Sequence, residues 1–267
     1  MLLRMGLAEM NELQKQLFAQ MCEIDRVCRL YGIQYTLQGG TLLGAVRNQG
    51  FIPWDDDVDL AMTRENYERF KEIFPQVQSD YLICDDFTAG ALQVFSAENG
   101  EATSDIFVYD FITTNPLLRK IRIYLIVALQ AMLKTKRTIQ MSQKNGHAAV
   151  QIFVYKLFWR LGFLFPQKTK TKWYRDVCQK CFTGNHTEIH LSNDSAKYLG
   201  RCIPSDYMSS FTEVKFEGRS FLASKEYDKI LRLSYGKEYM TPIRDPQNSK
   251  RHEMFRDQLF SKQKTKG

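Results

Sequence analysis

The chain has 267 residues, of which 44% are apolar and 25% are charged. These are the proportions of an ordinary folded protein, and they exclude a disordered chain. Six cysteines are few for this length, and the first residues, MLLRMGLAEMNELQKQL, contain no apolar signal-peptide core. We therefore expect reduced thiols and a cytoplasmic location.

The net charge of +7 is concentrated in one part of the chain. The 65 residues between Asp110 and Asp176 contain 13 Lys and Arg and no Asp or Glu. The remainder carries 24 basic and 30 acidic residues, a net charge of −6. Positive charge of this density indicates a polyanion or an anionic membrane surface as the neighbour of this basic segment.

The first predicted elements are a helix, a short strand and a second helix. Apolar residues at steps of three and four predict an amphipathic helix over residues 8–31, with Gly32 at its C′ position. The sequence IQYTL (33–37) predicts a strand, QGG predicts the turn after it, and TLLGAVR (41–47) predicts a helix. The loop NQGFIP follows.

The next segment alternates with a period of two, which is typical of a strand. One face carries the apolar residues Val58, Leu60 and Met62, and the other face carries Asp57 and Asp59. The predicted strand therefore presents an apolar face to the core and a carboxylate face away from it.

A third helix and three further strands complete the predicted sheet domain. RENYERFKEIF predicts a helix that Thr63 caps and Pro75 ends. The strands are YLICDD, LQVFSA and SDIFVYDF, which span residues 81–86, 92–97 and 104–111. Strand and helix segments in this order predict an α/β or α+β domain of about 115 residues.

The basic segment contains two apolar stretches, IYLIVALQAML (123–133) and QIFVYKLFWRLGFLF (151–165). Neither reaches the roughly 20 apolar residues that span a bilayer. Two interpretations remain open. The stretches are interfacial helices with Lys and Arg at their rim, or they form a helical subdomain whose apolar faces pack inward.

The stretch IPWDDDVDLAM places Asp55, Asp56, Asp57 and Asp59 within five positions. Carboxylates this close repel one another, by about 4 kcal/mol per pair at ~4 Å near a protein surface. Strand alternation separates Asp57 from Asp59 by about 7 Å on one face. A divalent cation such as Mg2+ between them converts the repulsion into attraction. A solvated acidic turn is the alternative interpretation.

Three other features accompany this cluster. Gly39 and Gly40 lie at a strand-to-helix junction, where backbone N–H groups and the helix dipole favour an anion. Arg47 belongs to the same short helix and can reach the same phosphate. Asp105 begins a predicted strand and can add a third carboxylate from a neighbouring strand. A plain turn, a surface arginine and a turn aspartate are the alternatives for these residues.

With these motifs together, LQGGTLLGAVRNQGFIPWDDDVDLAMTRENYERF closely resembles the LicD family of phosphotransferases, of which fukutin and fukutin-related protein are distant relatives. The resemblance covers about residues 33–115 and 214–255. The second range includes FEGRSFLASKEYDKILRLSYGKEYMTP and His252. The resemblance covers little of the basic segment.

The resemblance implies an α+β fold, namely a nucleotidyltransferase-like mixed sheet flanked by helices, with a basic, largely helical insert. Three parts are implied. They are a catalytic core with an N-terminal helix (1–115), an insert that faces the acceptor or the membrane (116–213), and a C-terminal part that packs back on the core (214–267).

The implied activity is transfer of phosphocholine from CDP-choline to a hydroxyl group of a cell-surface glycan, a teichoic acid or lipopolysaccharide precursor, with release of CMP. Relatives use CDP-ribitol or CDP-glycerol, so transfer of ribitol phosphate or glycerol phosphate is an alternative. The expected partners are the CDP-activated donor and a lipid-linked glycan acceptor. We expect peripheral contact with the inner face of the membrane and no nucleic acid.

The family signature also implies roles for the acidic residues. Asp57, Asp59 and Asp105 are the expected catalytic residues, and together with Asp55 they are the expected ligands of Mg2+ or Mn2+. Asp105 either completes the metal shell or accepts the proton of the acceptor hydroxyl group.

The remaining expected site residues bind the donor. The turn formed by Gly39, Gly40 and Thr41 is expected to hold phosphate, and Arg47 to balance the charge of the leaving CMP. Phosphoryl transfer depends mainly on positioning and on electrostatic stabilisation, so a metal, an arginine and a glycine turn are sufficient parts.

Two other functions use the same residues. A nucleotidyltransferase would move a nucleoside monophosphate onto RNA or a small molecule, and the basic segment would then be an RNA-binding surface. The long interval between the glycine pair and the Asp-x-Asp motif, together with the lack of an RNA-binding signature, argues against it. A non-catalytic adaptor at the membrane surface is the second alternative, and the intact carboxylate set argues against that one.

A separate pattern within the chain approaches the spacing of a zinc knuckle. CQKCFTGNHTEIH contains Cys178, Cys181, His186 and His190. The second pair departs from the usual pattern, and the loop is shorter than in a zinc finger. Two ordinary cysteines at a helix end and two surface histidines are the alternative, and the sequence does not decide between the two.

Overall fold

The structure is a computed structural model that describes residues 10–78, 80–84, 92–96, 102–134 and 149–242. The chain forms two compact units. The first unit comprises residues 1–84, 93–106 and 207–267, and the second comprises residues 85–92 and 107–206. The three-part division expected from the sequence stays a prediction.

The secondary structure alternates helices and strands along the first part of the chain. In chain order the elements are α1 (Glu12–Leu30), β1 (Thr36–Leu37), α2 (Gly39–Asn48), β2 (Val58–Thr63), α3 (Arg64–Val77), β3 (Tyr81–Cys84), β4 (Leu92–Ser96) and β5 (Thr103–Ile112). Strand β5 begins in the first unit and ends in the second.

Helices dominate the second unit, and a hairpin returns the chain to the first. The second unit contains α4 (Pro116–Leu133), α5 (Ala149–Leu161), a 3-10 turn (Gly162–Leu164), α6 (Gln167–Lys180), β6 (Glu188–Leu191) and β7 (Cys202–Pro204). A second 3-10 turn (Ser205–Met208), β8 (Phe211–Phe216), β9 (Arg219–Ser224) and α7 (Tyr227–Tyr235) follow.

The sheet of the first unit has the strand order β1-β2-β5-β4-β3. Strand β1 is antiparallel to β2, and β3 is antiparallel to β4. Strands β8 and β9 form a separate antiparallel hairpin. A sheet accompanied by helices α1, α2 and α3 confirms the predicted α+β class.

The second unit combines a strand pair with a helical core. Strand β6 is antiparallel to the second half of β5, and β7 is antiparallel to β6. Helix α4 packs against both α5 and α6. Its buried residues Ile126 and Leu129 share a core with Tyr174 and Leu199. In the described part of residues 116–213, the largely helical character that was expected is confirmed.

Helix α1 forms as its periodicity predicts, although it begins later. Leu17, Met21 and Ile24 are fully buried. Asn11 and Gln14 form a reciprocal capping box, which fixes the start of the helix at Glu12. The predicted start at residue 8 lies outside the described residues.

The first strand and second helix differ in length from the prediction. Only residues 36–37 pair as a strand, so the prediction of a strand over 33–37 was too long. Helix α2 already begins at Gly39 and not at Thr41, because Gly39 and Gly40 adopt its first turn. The glycine pair is therefore part of the helix start itself.

The prediction that Pro75 ends the third helix was wrong. Pro75 lies inside α3, which continues to Val77. A proline this close to the end removes little of the helical hydrogen bonding, and its φ angle suits the helix. Thr63 takes the N-cap position without a capping hydrogen bond, and its hydroxyl oxygen accepts from the side-chain amide of Asn66 at 3.0 Å.

The predicted polar tail from residue 245, together with His252, lies outside the described residues. Within the part of the chain that the structure describes, no helix is both long enough and apolar enough to cross a membrane.

Candidate active site

The glycine pair lies at the N-terminus of α2, directly after β1. Gly39 has a φ angle of +56°, which a residue without a side chain adopts at little cost. Gln38, the N-cap residue, makes no side-chain capping hydrogen bond. The first backbone N–H groups and the positive end of the helix dipole make this turn suited to an anion.

Two carboxylates pack against this turn. A Cβ atom added at Gly39 would lie 2.3 Å from Oδ2 of Asp59, and one added at Gly40 would lie 2.8 Å from Oδ2 of Asp55. At either position, an added Cβ atom would force the facing carboxylate to shift. The turn and the acidic cluster, which are separated by about fifteen residues in sequence, therefore lie against each other, and the two glycines allow this close approach.

Hydrogen bonds hold β2 against the start of α2. The backbone N–H of Asp59 donates to the hydroxyl oxygen of Thr41 at 2.9 Å, and the backbone N–H of Gln38 donates to the carbonyl oxygen of Asp59 at 3.0 Å. Thr41 is buried. These contacts fix Asp59 beside the glycine turn, and the expected role of Thr41 in holding phosphate stays a prediction.

The other aspartates of the cluster lie in the loop that enters β2. Asp57 precedes the first residue of the strand, so it flanks the fully buried Val58 together with Asp59. Asp55 ends the turn that begins at Ile52, and its backbone N–H donates to the carbonyl oxygen of Ile52 at 2.8 Å. All three carboxylates are half-buried. Partial burial keeps them within reach of a ligand while limiting screening by water.

Helix α1 supports the same loop from the other side. The side-chain amide of Gln14 donates to the carbonyl oxygen of Asp55 at 3.2 Å. Gln14 is also the N3 residue of the capping box at the start of α1. The capping box therefore fixes the backbone from which the Gln14 side chain reaches the loop. The sequence patterns gave no sign of this contact, because it joins residues 41 positions apart.

Asp105 lies in β5, which is the neighbour of β2 in the sheet. The expectation that this residue lies on an adjacent strand is confirmed. Asp105 is half-buried, whereas Ser104 and Ile106 on the opposite face are fully buried. The side-chain amide of Gln93, in β4, donates to Oδ1 of Asp105 at 3.0 Å and orients the carboxylate.

Arg47 lies at the far end of α2 and is partly buried. Burial lowers the pKa of its guanidinium group, while the charges of Tyr235 and Asp55 raise it. An arginine stays protonated under such a shift, because its ordinary pKa is far above neutral. Arg47 therefore supplies a positive charge within electrostatic reach of Asp55. The proximity of Tyr235, from α7, was not expected from the sequence.

The loop between α2 and β2 is held by the β8–β9 hairpin. Oε1 of Glu217 accepts a hydrogen bond from the backbone N–H of Phe51 at 3.0 Å, and the backbone N–H of Glu217 donates to the carbonyl oxygen of Gln49 at 2.8 Å. A Cβ atom at Gly50 would lie 2.2 Å from Oε1 of Glu217. Glu217 is thus a positioning residue that sequence reasoning missed.

The donor set suits a hard cation that shares its ligands with a substrate. Mg2+ takes oxygen ligands and is typically held by one or two carboxylates together with waters and substrate phosphates. Among the residues that the structure describes, no three His, Cys, Asp or Glu side chains converge as a ready ligand group. Two carboxylates and a donor diphosphate satisfy the preference of Mg2+, and the complete set of four expected ligands stays a prediction.

The zinc pattern is different, because a structural zinc ion takes four protein ligands. Within the described ranges, Cys178, Cys181, His186 and His190 do not form a ligand group. The ring of His186 stacks on Phe111 at 4.2 Å, and Nδ1 of His190 lies 2.9 Å from the carbonyl oxygen of Leu199. The structure favours the alternative of two ordinary cysteines and two histidines without a metal. The expectation of a surface position was wrong for His190, which is fully buried in β6.

Comparison with known proteins agrees with this geometry. Residues 32–117 match the sequence model of the LicD/FKTN/FKRP nucleotidyltransferase domain. The match contains the glycine turn, the acidic cluster and Asp105, so the site described above lies within the segment that is similar to this domain family.

Individual relatives cover different shares of the chain. The chain is 28% identical over 235 residues to the lipopolysaccharide cholinephosphotransferase LicD of Haemophilus influenzae, an alignment that covers 80% of this chain and 84% of that protein. It is 36% identical over 86 residues to an uncharacterised protein of Rickettsia typhi, which covers 29% of this chain and 23% of that protein. The ribitol 5-phosphate transferase FKRP of Homo sapiens is 54% identical over 35 residues, 13% of this chain and 7% of FKRP.

Proposed function

We propose that this chain is a metal-dependent phosphotransferase that moves phosphocholine from CDP-choline to a hydroxyl group of a cell-surface glycan and releases CMP. One observation carries the proposal: the carboxylates of Asp55 and Asp59 pack on the Gly39–Gly40 turn, at the N-terminus of a helix. An anion-binding helix start beside paired carboxylates is the arrangement that a diphosphate with its cation requires.

The similarity to a lipopolysaccharide cholinephosphotransferase over 80% of the chain supports phosphocholine as the transferred group. In the proposed reaction, the acceptor hydroxyl oxygen attacks the distal phosphorus of the donor. The bond from that phosphorus to the bridging oxygen breaks, and CMP leaves with the electron pair. Asp105 accepts the hydroxyl proton, and its hydrogen bond from Gln93 keeps the carboxylate in one orientation.

Asp57 and Asp59 would hold Mg2+ or Mn2+, with Asp55 as a further ligand. Asp105 would complete the metal shell only in the alternative in which it is not the proton acceptor. When bound, the cation neutralises charge on the donor diphosphate. The remaining residues act on the donor directly. Backbone N–H groups of the Gly39–Thr41 turn hold a phosphate group, and Arg47 balances the negative charge of CMP as it leaves.

A related transfer has its own support. The 35-residue segment shared with FKRP is 54% identical, and FKRP is a ribitol 5-phosphate transferase. Transfer of ribitol phosphate or glycerol phosphate from the corresponding CDP-alcohol is therefore the second candidate. The reaction at phosphorus is the same, and only the group beyond the distal phosphate differs. Nucleotidyl transfer to RNA or a small molecule would break a different bond and release pyrophosphate or the distal phosphate group.

The acceptor completes the proposed function. We infer a lipid-linked glycan, such as a teichoic acid or lipopolysaccharide precursor, reached from the cytoplasmic side of the membrane. A cytoplasmic site follows from the donor, because CDP-activated alcohols are nucleotide metabolites, and from the few cysteines of the chain.

A product assay tests the proposal. The purified chain is incubated with Mg2+, a glycan acceptor and, in turn, CDP-choline, CDP-ribitol or CDP-glycerol, and the products are identified by mass spectrometry. We expect CMP and a glycan that has gained phosphocholine. Asp57→Asn should abolish turnover, and chelation of divalent cations should do the same reversibly. Asp56→Asn, which removes the same charge from the same loop, is the matched control and should retain turnover.

Each other outcome has a defined meaning. Transfer from CDP-ribitol or CDP-glycerol alone would replace the donor and keep the mechanism. Transfer of the nucleotide itself would assign nucleotidyl transfer. Full activity of the Asp57→Asn variant, or full activity after chelation, would overturn the proposed site.

A further inference from the structure

The turn after α5 exposes large apolar side chains to an unusual extent. Phe163 is 71% exposed and Leu164 is 73% exposed, within the 3-10 turn that ends at Leu164. Leu161 before the turn and Phe165 after it are also exposed. Four apolar side chains within five consecutive positions form a patch rather than a scattered surface residue, and such patches mark interaction sites.

The exposed patch continues along α5. Phe153 and Leu157 are exposed, with relative areas of 68% and 46%. Residues spaced by four positions lie on one line of a helix, so these two side chains and Leu161 form one apolar row that leads to the turn. We use the name apolar ridge for Phe153, Leu157, Leu161, Phe163, Leu164 and Phe165.

Packing of the second unit holds the ridge outward. Gly162 is buried, and a Cβ atom there would lie 2.6 Å from the carbonyl oxygen of Met132 in α4. The same carbonyl oxygen accepts a hydrogen bond from Nζ of Lys170 at 3.2 Å. The turn is therefore pressed against α4 through its glycine, and the side chains on either side of that glycine extend away from the core.

Two tryptophans contact the aromatic side chains of the ridge. The ring of Trp159 meets Phe163 edge to face at a centroid distance of 4.8 Å, and Trp173 of α6 meets Phe165 in the same way at 4.9 Å. Both tryptophans lie at the border of the ridge. Aromatic rings with one apolar and one polar edge are typical of the water–bilayer interface.

The rim of the ridge is basic. Arg160, Lys168 and Lys172 are exposed on either side of the turn. No acidic residue occurs from residue 111 to residue 175, and the first one afterwards, Asp176, forms an ion pair with Lys180 at 2.6 Å. An apolar centre with a cationic border matches the order of layers in an anionic membrane surface, where acyl chains lie beneath negative headgroups.

We propose that the second unit docks on an anionic bilayer surface through the apolar ridge, with Phe163, Leu164 and Phe165 inserted between the headgroups and Arg160, Lys168 and Lys172 in contact with them. Charge complementarity identifies the partner. A second copy of the chain would bring the same cationic rim against itself in a symmetric dimer, and like charges at an interface oppose association.

The ridge lies on the bilayer and does not span it. Helix α5 has 13 residues, which corresponds to about 20 Å at the usual rise per residue. The hydrocarbon core of a bilayer is about 30 Å thick. The bilayer is also the carrier of the lipid-linked acceptor in the proposed function. Docking is measured without catalysis, so that a failure of one proposal leaves the other unaffected.

Vesicle flotation of the full chain tests docking. Vesicles of phosphatidylcholine alone are compared with vesicles that also contain phosphatidylglycerol, at low and high salt. We expect binding to the anionic vesicles at low salt and a decrease with salt, because the rim acts through screened charges. Brominated acyl chains should quench the fluorescence of Trp159 and Trp173.

Two pairs of variants separate insertion from charge. The double variant Phe163→Ser with Leu164→Ser should lower the vesicle partition coefficient about tenfold or more, since two large apolar side chains leave the bilayer. Leu233→Ser with Met240→Ser, at exposed apolar positions of the first unit, is the matched control. Lys168→Glu with Lys172→Glu should abolish the preference for anionic vesicles, and Lys225→Glu with Lys237→Glu should not.

Circular dichroism and thermal unfolding check that each variant folds. Equal binding to neutral and anionic vesicles would contradict the proposal that the partner is an anionic surface. No binding to anionic vesicles at low salt would overturn docking. Sedimentation equilibrium tests the other candidate for the ridge, a second copy of the chain. A concentration-dependent dimer that the Phe163→Ser, Leu164→Ser variant abolishes would assign the ridge to a second copy of the chain and would also overturn docking.

Discussion

Asp59 packs so closely on Gly39 that a Cβ atom at residue 39 would displace its carboxylate. Oδ2 of Asp59 lies 2.3 Å from the position that a Cβ atom would take at residue 39. Gly32 offers a comparison within the same unit, because its φ angle of +64° resembles the +56° of Gly39 but nothing lies within 4 Å of its Cβ position. The two glycines share the backbone conformation and differ in their neighbour.

Replacement of Gly39 by Ala is expected to lower kcat about 100-fold, because a displacement of a catalytic carboxylate by about 1 Å has effects of this size. Gly32→Ala should lower the free energy of unfolding by about 1–2 kcal/mol through backbone strain alone and leave kcat unchanged. Steady-state kinetics and thermal unfolding of both variants measure the two effects. Equal kcat values in the two variants would show that Asp59 does not depend on the glycine.

Glu217 joins the hairpin to the loop that precedes the acidic cluster. Its carboxylate accepts the backbone N–H of Phe51 at 3.0 Å, and the phenyl ring of Phe51 meets Phe216 edge to face at 4.8 Å. Glu217→Ala removes the acceptor from a half-buried N–H group. We expect a loss of about 1–3 kcal/mol in the free energy of unfolding and a fall in kcat, because the loop leads directly to Asp55.

The neighbouring Glu213 is the control for this change. It lies in β8 of the same hairpin and forms an exposed ion pair with Arg29 at 2.9 Å. Exposed pairs contribute about 0–1 kcal/mol, so Glu213→Ala should have little effect on unfolding and none on kcat. Chemical denaturation and initial rates measure both variants. A kcat that is unaffected by Glu217→Ala would limit its role to stability.

The second unit contains a buried arginine with three backbone partners. Arg122 is fully buried in α4, and its guanidinium group donates to the carbonyl oxygens of Phe111, Phe182 and Cys178. Burial lowers its pKa, and the nearby Asp110 is among the groups that raise it. The charge is therefore compensated mainly by carbonyl dipoles that converge from a strand, a helix end and a loop.

Arg122→Met should retain most of the side-chain volume and leave the carbonyl oxygens without their donor. We expect the free energy of unfolding to fall by about 3 kcal/mol or more. The exposed Lys120→Met, in the same helix, should change it by less than about 0.5 kcal/mol. Hydrogen exchange of the β5–β6 backbone amides follows the change locally. Wild-type exchange rates in Arg122→Met would refute the structural role.

Local patterns were sufficient for the elements that carry the site. Alternation from Asp57 onward predicted β2, and the observed strand begins one residue later, at Val58. The glycine pair predicted a tight strand-to-helix junction, and α2 begins at Gly39. In each case the signal lies within a few residues, because strand alternation and glycine conformations are local properties of the chain.

Contacts between segments that are distant in sequence could not be predicted from sequence patterns. Gln93 orients Asp105 from another strand, and Glu217 binds Phe51 across 166 residues. The local periodicity of a sequence does not determine which distant side chains meet, since those contacts depend on the strand order and on the position of the hairpin. The same reason explains Pro75, whose effect on α3 depends on how little of the helix remains after it.

Two groups of the second unit titrate with opposite effects on stability. Burial lowers the pKa of His190 to about 4, assisted by the positive charge of Arg122 and, more weakly, of Arg119, while the Leu199 carbonyl and Asp110 act in the other direction. Burial raises the pKa of Asp194 to about 6.

The sign of each contribution follows from comparison with the unfolded chain. Unfolded His190 takes up a proton near its ordinary pKa of 6.5, so the folded state loses stability as the pH falls from about 6.5 toward about 4. On acidification, the folded state protonates Asp194 at a higher pH than the unfolded chain does. The stability that Asp194 contributes is therefore fully present below its ordinary pKa of 3.8 and is lost as the pH rises through about 6. Between these values, the two contributions oppose each other on acidification.

Asp194→Asn should remove the contribution that offsets His190. We expect the thermal midpoint of this variant to fall more steeply than that of the wild type between about pH 6.5 and pH 4.5, since an unopposed buried histidine costs up to about 1.4 kcal/mol per pH unit. Asp176→Asn, at a partly exposed carboxylate of the same unit, is the control and should follow the wild type in this range. Differential scanning calorimetry across the pH series measures the slopes, and parallel curves for Asp194→Asn and the wild type would contradict the assignment.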